Sequence, residues 1–297
     1  MVDFRFKARG TCGNGDSMSG NRQQPDRRSG ILPGSGRVSR GAFNRLLLLP
    51  LLVYLVWTAE TYLFAGSLGL FGAPDAFAFL LYTTVTCILI GIVVPVMLVR
   101  RAFFTGDINM HQIGFRSLRR TLLMTSLTLL LVWAAVALQN PFGTDRFSFA
   151  VVFLQFLPTG IAMVMTCWVL AGTHVQAYVR NGGVLHSICT GVIVTGILSG
   201  LSFVALNPGV GIPGSLVLYF SFGILAAIFF FAVRDVWATS VAVTGGLVWL
   251  MAGRADTTTI VPVFPAISAA AVLTTGILAI IHWHLSRHYV TIPAPAA

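Results

Sequence analysis

Residues 174–249 read HVQAYVRNGGVLHSICTGVIVTGILSGLSFVALNPGVGIPGSLVLYFSFGILAAIFFFAVRDVWATSVAVTGGLVW. Three apolar runs lie in this stretch, at about 184–206, 215–233 and 236–252. Only Asn207-Pro-Gly-Val-Gly-Ile-Pro-Gly214 and Arg234-Asp235 separate them. A helix of 23 residues, the length of the first run, reaches about 35 Å. The hydrocarbon layer of a bilayer is about 30 Å thick, so such a helix crosses it. The runs do not alternate polar and apolar residues, which argues against barrel strands. A helix also satisfies its own backbone polar groups, as lipid demands.

The same pattern continues outward in both directions. Apolar runs occur at about 46–70, 76–99, 121–138, 147–171 (with Pro158 as an expected kink) and 260–281. The expected fold is therefore all-α, a polytopic transmembrane bundle of about eight spans. The chain is 56% hydrophobic and 9% charged, with a mean hydropathy of +0.84. A soluble domain carries roughly a quarter charged residues, so that class is excluded. Residues 1–45 are rich in Gly, Ser, Arg, Asn and Gln and show no apolar period, which predicts a disordered basic tail. Residues 46–290 form the expected membrane domain, and 291–297 a short tail. The first apolar run begins near Leu46 and is too long for a cleavable signal peptide. Met18 is an alternative start.

The net charge of +10 is unevenly placed. Nine of the 19 Lys and Arg precede or open the first run: Arg5, Lys7, Arg9, Arg22, Arg27, Arg28, Arg37, Arg40 and Arg45. Five more, Arg100, Arg101, Arg116, Arg119 and Arg120, share one loop. With eight spans and the N-terminus inside, 17 fall inside and only Arg146 and Arg254 outside. That asymmetry predicts a cell-membrane protein with both termini cytoplasmic. The expected partner is the lipid bilayer and no nucleic acid, since the charge flanks spans and does not mark a soluble binding surface.

Few residues carry chemistry. The chain has four cysteines, Cys12, Cys87, Cys167 and Cys189, with no zinc spacing. His284 and His288 share a helical face, but two histidines fall short of the three or four ligands zinc takes. No metal and no cofactor is expected. Gly196-Ile-Leu-Ser-Gly200 fits a small-xxx-small helix contact, as does Gly245-Gly246. Glu60, the only glutamate, lies within the first apolar run. Intramembrane carboxylates mark ion and proton pathways by default. An interfacial hydrogen-bonded carboxylate is the competing reading.

Residues 110–252 resemble the CAAX protease and bacteriocin-processing (CPBP) family of intramembrane proteases. Val175-Gln176-Ala-Tyr-Val-Arg180 stands where that family has EExxxR, and Phe203-Val-Ala-Leu-Asn207 where it has FxxxH. Asp235-Val236-Trp237 resembles the turn before the family's HxxxN, whose positions fall near Val243 and Leu247, or Thr244 and Val248. Ile113-Gly-Phe-Arg116 resembles an upstream family segment. The resemblance implies a polar cavity formed by Gln176, Arg180, Asn207 and Thr244. The family's glutamate and histidine groups activate water, and a general base must take a proton near neutral pH. Gln176 and Asn207 can only donate and accept hydrogen bonds. The resemblance thus implies a non-catalytic protein that binds or scaffolds a membrane protein or lipid chain, with no peptidase activity by the family route. Two alternatives stay open: a small proton-coupled transporter using Glu60, and a protease with relocated catalytic groups.

Overall fold

A computed structural model describes residues 43–72, 74–105, 108, 110–139, 146–179, 182–207, 213–251 and 261–287. Most of the basic tail, Met18, Arg180, His288 and the C-terminal tail lie outside the described residues. Among the described residues the chain is helical, without strands. Seven helices are long and apolar enough to cross a bilayer: α1 (Leu46–Ala65), α2 (Ala76–Phe104), α3 (Leu118–Leu138), α4 (Ser148–Val179), α5 (Val184–Leu206), α6 (Ser215–Val233) and, after a shorter helix, α8 (Phe264–Leu285). The shorter one is α7 (Val236–Leu250), about 22 Å long at 1.5 Å per residue.

Contacts between helix ends show how the eight helices run. Asn44, Arg101 and His174 share one groove, and Gln176 bonds to both Ser187 and Arg234. Arg116 meets Arg234 and His282. The start of α1, the ends of α2, α4, α6 and α8, and the starts of α3, α5 and α7 therefore gather at one end. The helices alternate up and down. Arg100, Arg101, Arg116, Arg119, Arg120, Arg234 and Arg287 all belong to this end, called the basic end below.

The middle of the bundle is α4, with 78% of its apolar window buried. Its residues Ile161 to Leu170 are fully buried. At the other extreme, α3 has only 11% of its window buried. It presents Leu122, Leu123, Leu130 and Leu131 outward. In water such a surface would be an aggregation patch, whereas in lipid it faces its own kind of solvent. Interior hydroxyls are mostly satisfied within their own helix. Thr166, Thr195, Thr239, Ser240 and Thr274 each donate to the carbonyl four residues back. This is how short polar side chains enter a dry bundle.

A close crossing joins α5 to α6. A Cβ on Gly196 would lie 2.7 Å from the Ile224 side chain, and one on Gly223 would lie 2.6 Å from the Gly196 carbonyl oxygen. The small residues read from the sequence in α5 thus meet a matching glycine in α6. Gly246 on α7 does the same for the Phe222 ring.

Several boundaries differ from the sequence reading. The apolar run read as 147–171 is exceeded by its helix: α4 runs on through His174 and Gln176 to Val179. Nothing between Thr173 and Val179 breaks a helix, and the chain turns at Gly183, whose φ is +97°. Similarly α2 continues to Phe104, and α8 to Leu285, which places His282 inside a helix. Charged residues at these ends do not stop a helix; they mark where it leaves the lipid.

Candidate functional site

Gln176 sits near the end of α4 and is buried. Its Oε1 accepts from Arg234 Nη2 at 2.9 Å, and its carbonyl accepts from Ser187 Oγ at 3.0 Å. Asn207 closes α5 and donates through Nδ2 to the Tyr219 hydroxyl at 2.7 Å. Ser187 and Asn207 are 20 residues apart on one helix, about 30 Å along its axis. Thr244, on α7, packs its hydroxyl over Gly160 of α4, where no Cβ would fit. Its Oγ1 has no hydrogen-bond partner. Gly160 lies 16 residues before Gln176, roughly 20 Å along α4. The cavity implied by the resemblance is therefore not formed by Gln176, Asn207 and Thr244. They occupy three separate settings: the length of α5 separates Gln176 from Asn207, and Thr244 packs on α4 several turns before Gln176. Arg180 lies outside the described residues.

Two other polar assemblies are present. The first closes the basic end. The short helix Met110–Ile113 leads into Gly114, whose φ of +95° brings the chain against the α6–α7 turn. Val236 N donates to Gly114 O at 3.1 Å. Arg234 holds a left-handed backbone, φ +53°, unusual for a residue with a Cβ. Its side chain is fixed on three sides. Nη1 donates to Gln112 O at 2.8 Å, Nη2 to Gln176 Oε1, and the guanidinium lies 4.7 Å from the centre of the Phe231 ring. Burial, and then the nearby Arg116, lower the Arg234 pKa to about 10. It still carries its charge at neutral pH, so these are charge-assisted bonds. The Arg116 pKa is lowered by burial and by Arg120, and Asp235 partly offsets this.

Asp235 is fully buried. Its carboxylate accepts from Thr121 Oγ1 at 2.8 Å and from Ala238 N at 3.0 Å, which makes it the N-cap of α7. Next to it, Trp237 Nε1 donates to His282 Nδ1 at 3.0 Å. An indole nitrogen can only donate, so His282 Nδ1 is the acceptor. Its Nε2 then carries the proton and donates to Arg116 O at 2.9 Å. His282, Arg116 and Arg234 were not legible as partners, since 166 and 118 residues separate the bonded pairs. The only signal was the pair of segments Ile113-Gly-Phe-Arg116 and Asp235-Val236-Trp237, which the structure brings into contact.

The second assembly is inside the bundle, where α1, α2 and α4 meet. Glu60, half-buried on α1, accepts from Thr86 Oγ1 of α2 at 2.9 Å. Tyr82 of α2 shares a hydrogen bond of 3.1 Å with Thr159 of α4, and Cys87 Sγ lies 3.9 Å from the same hydroxyl. One turn before Glu60, Trp57 is fully buried with its indole N–H unpartnered. That nitrogen faces Gly91, whose Cβ would lie 3.2 Å from it. Thr83 Oγ1 is also buried and unpartnered. Thr83, Thr86, Cys87 and Gly91 all fall in the stretch Thr83–Val93, where α2 winds in wider π turns. The same wider turns occur at Asn44–Leu48, Tyr62–Ser67 and Val164–Gly172, so they are a general feature of these helices. Glu60 is 14 residues into α1 and five before its end at Ala65, so this carboxylate lies within the span, about 8 Å from the end opposite the basic end.

Comparison with family models, curated proteins and solved structures gives no match. The fold and composition define the class: a multi-pass helical membrane protein. Among its described residues no three His, Cys, Asp or Glu side chains gather as metal ligands would.

Proposed function

We propose that the chain is a membrane transport protein in which Glu60 carries the coupling proton. The supporting observation is the Glu60–Thr86 hydrogen bond inside the span, flanked by the unpartnered Trp57 N–H and Thr83 hydroxyl. A carboxylate within a span is costly, and a bond that only pairs two helices could be made by Gln, Ser or Thr at lower cost. A proton carrier needs the carboxylate itself, since only that group exchanges a proton where amides and hydroxyls cannot. By the positive-inside rule the basic end faces the cytoplasm, with both termini on that side. The resemblance to CPBP proteases adds no chemistry to this reading, because Gln176 and Asn207 cannot act as bases and stand about 30 Å apart.

The test is proton flux into liposomes containing the purified protein, driven by an imposed pH gradient and read with an internal dye. The expected result is flux that falls about tenfold or more in Glu60→Gln, an isosteric change that keeps an acceptor for Thr86. Glu60→Asp should keep part of the flux. Equal flux in the wild type and Glu60→Gln would show Glu60 to be a helix-pairing residue.

A further inference from the structure

A groove of about 390 Å³ opens at the basic end between α1, α2 and α4. We infer that it binds one anionic phospholipid, with an acyl chain along the leucines and the phosphate at Arg101. Leu48, Leu49, Leu52, Leu98 and Ala102 form the apolar wall, and Asn44, Arg101 and His174 complete the lining. The volume falls at the small end of the range for ligand pockets. Leu48 is 51% and Leu52 54% exposed, so the groove opens outward from the bundle and not into its core.

Its position fits a lipid. The 29 residues of α2 reach about 40 Å, more than the hydrocarbon thickness, so the last turns carrying Arg101 stand at the headgroup level. Leu52 lies six residues past Leu46, about 9 Å deeper. The groove thus runs from the headgroup level into the hydrocarbon, as a lipid does. Among the described residues the exposed Arg101 guanidinium has no carboxylate or hydrogen-bond partner. A basic pocket between helix ends is the recurring form of an anionic-lipid site.

Charge selects among occupants. The segment leading into Asn44 carries Arg37 and Arg40 among eight Lys and Arg. It would be repelled by Arg101, so it is a poor candidate to fill the groove itself. Arg100, one residue away, is turned elsewhere; its guanidinium lies 5.5 Å from the centre of the Phe104 ring.

The experiment is lipid binding to the full-length protein in neutral detergent, by native mass spectrometry, with phosphatidylglycerol and phosphatidylcholine of equal chain length. The wild type should prefer phosphatidylglycerol. Arg101→Gln should lower that preference about fivefold, the worth of one arginine at an anionic surface. Arg100→Gln should leave it unchanged. Leu52→Trp, at an exposed position, should reduce binding of both lipids by filling the wall. Equal losses from the two arginine variants would mean diffuse attraction to the surface and overturn the site. So would full competition by glycerol phosphate, which has no acyl chain, or a preference unchanged in Arg101→Gln. A change in oligomeric state without a change in lipid binding would assign the groove to a second copy of the chain instead.

Discussion

Gly223→Leu is expected to abolish the folded protein. The Cβ it introduces would meet two backbone atoms, Gly196 O at 2.6 Å and Gly200 N at 3.1 Å. A clash with a flexible side chain can relax by a rotamer change, but one with backbone can relax only if α5 and α6 move apart. α5 is itself held against α4 and α1, and its end is bonded to α6. Ser187 ties its start to Gln176, Leu198 O accepts from the Tyr54 hydroxyl at 2.7 Å, and Asn207 ties its end to Tyr219. Overpacking by a methylene or two already costs about 1–3 kcal/mol in a well-packed core, and leucine adds four carbons against an unyielding surface. Gly200→Ala should be milder, because its nearest atoms belong to the Phe220 ring, which can turn. Gly276 on α8 is the control, since a Cβ there meets nothing within 4 Å. Gly276→Leu should leave the protein monodisperse in detergent with an unchanged melting temperature. A Gly223→Leu variant that elutes and melts like the wild type would mean that α5 and α6 do not cross at these glycines.

The contrast between those glycines and the motif residues shows what a sequence of this kind exposes. Apolar runs and the glycines within them report on single helices, and lipid makes helix the only local answer. The up-and-down count follows from run lengths and basic flanks. The side chains that meet across helices are less visible. Gln176 and Asn207 occupy positions where a resemblance puts cooperating groups, yet α5 lies between them from end to end. Run length alone carries that constraint, since a residue before a 23-residue span and one after it stand on opposite sides of the bundle. His282 shows the converse. It falls just past the last apolar run, beside His284, and nothing nearby marks it, because its role depends on Trp237 and the Arg116 carbonyl, both far away in sequence. Thr244 reads as polar and available, whereas Gly160 gives it a close-packed place.

Asp235→Ala is expected to produce the largest loss of stability among single substitutions at the basic end. Three effects act together. The N-cap of α7 loses its acceptor for Ala238 N, and Thr121 Oγ1, itself buried, loses its partner. The third is electrostatic. Arg116, Arg120 and Arg234 converge on the carbonyls of Val233, Arg234 and Gln112. Asp235 is the carboxylate that acts on Arg116 there, against the repulsion from Arg120. A lost cap costs about 1 kcal/mol, and a lost hydrogen bond to a charged group about 1.5–3 kcal/mol. Together these give a loss of about 3 kcal/mol, read as a lower melting temperature in detergent. Asp235→Ser can restore the cap but not the charge or the reach to Thr121, and Asp235→Asn can keep one acceptor without the charge. Both should fall between the wild type and Ala. The ordering separates the causes. If Asn and Ala are equally unstable while Thr121→Val is neutral, the carboxylate acts through its charge on the arginines. If Asn matches the wild type, the cap alone is at work, and the arginines are held by the carbonyls they already reach.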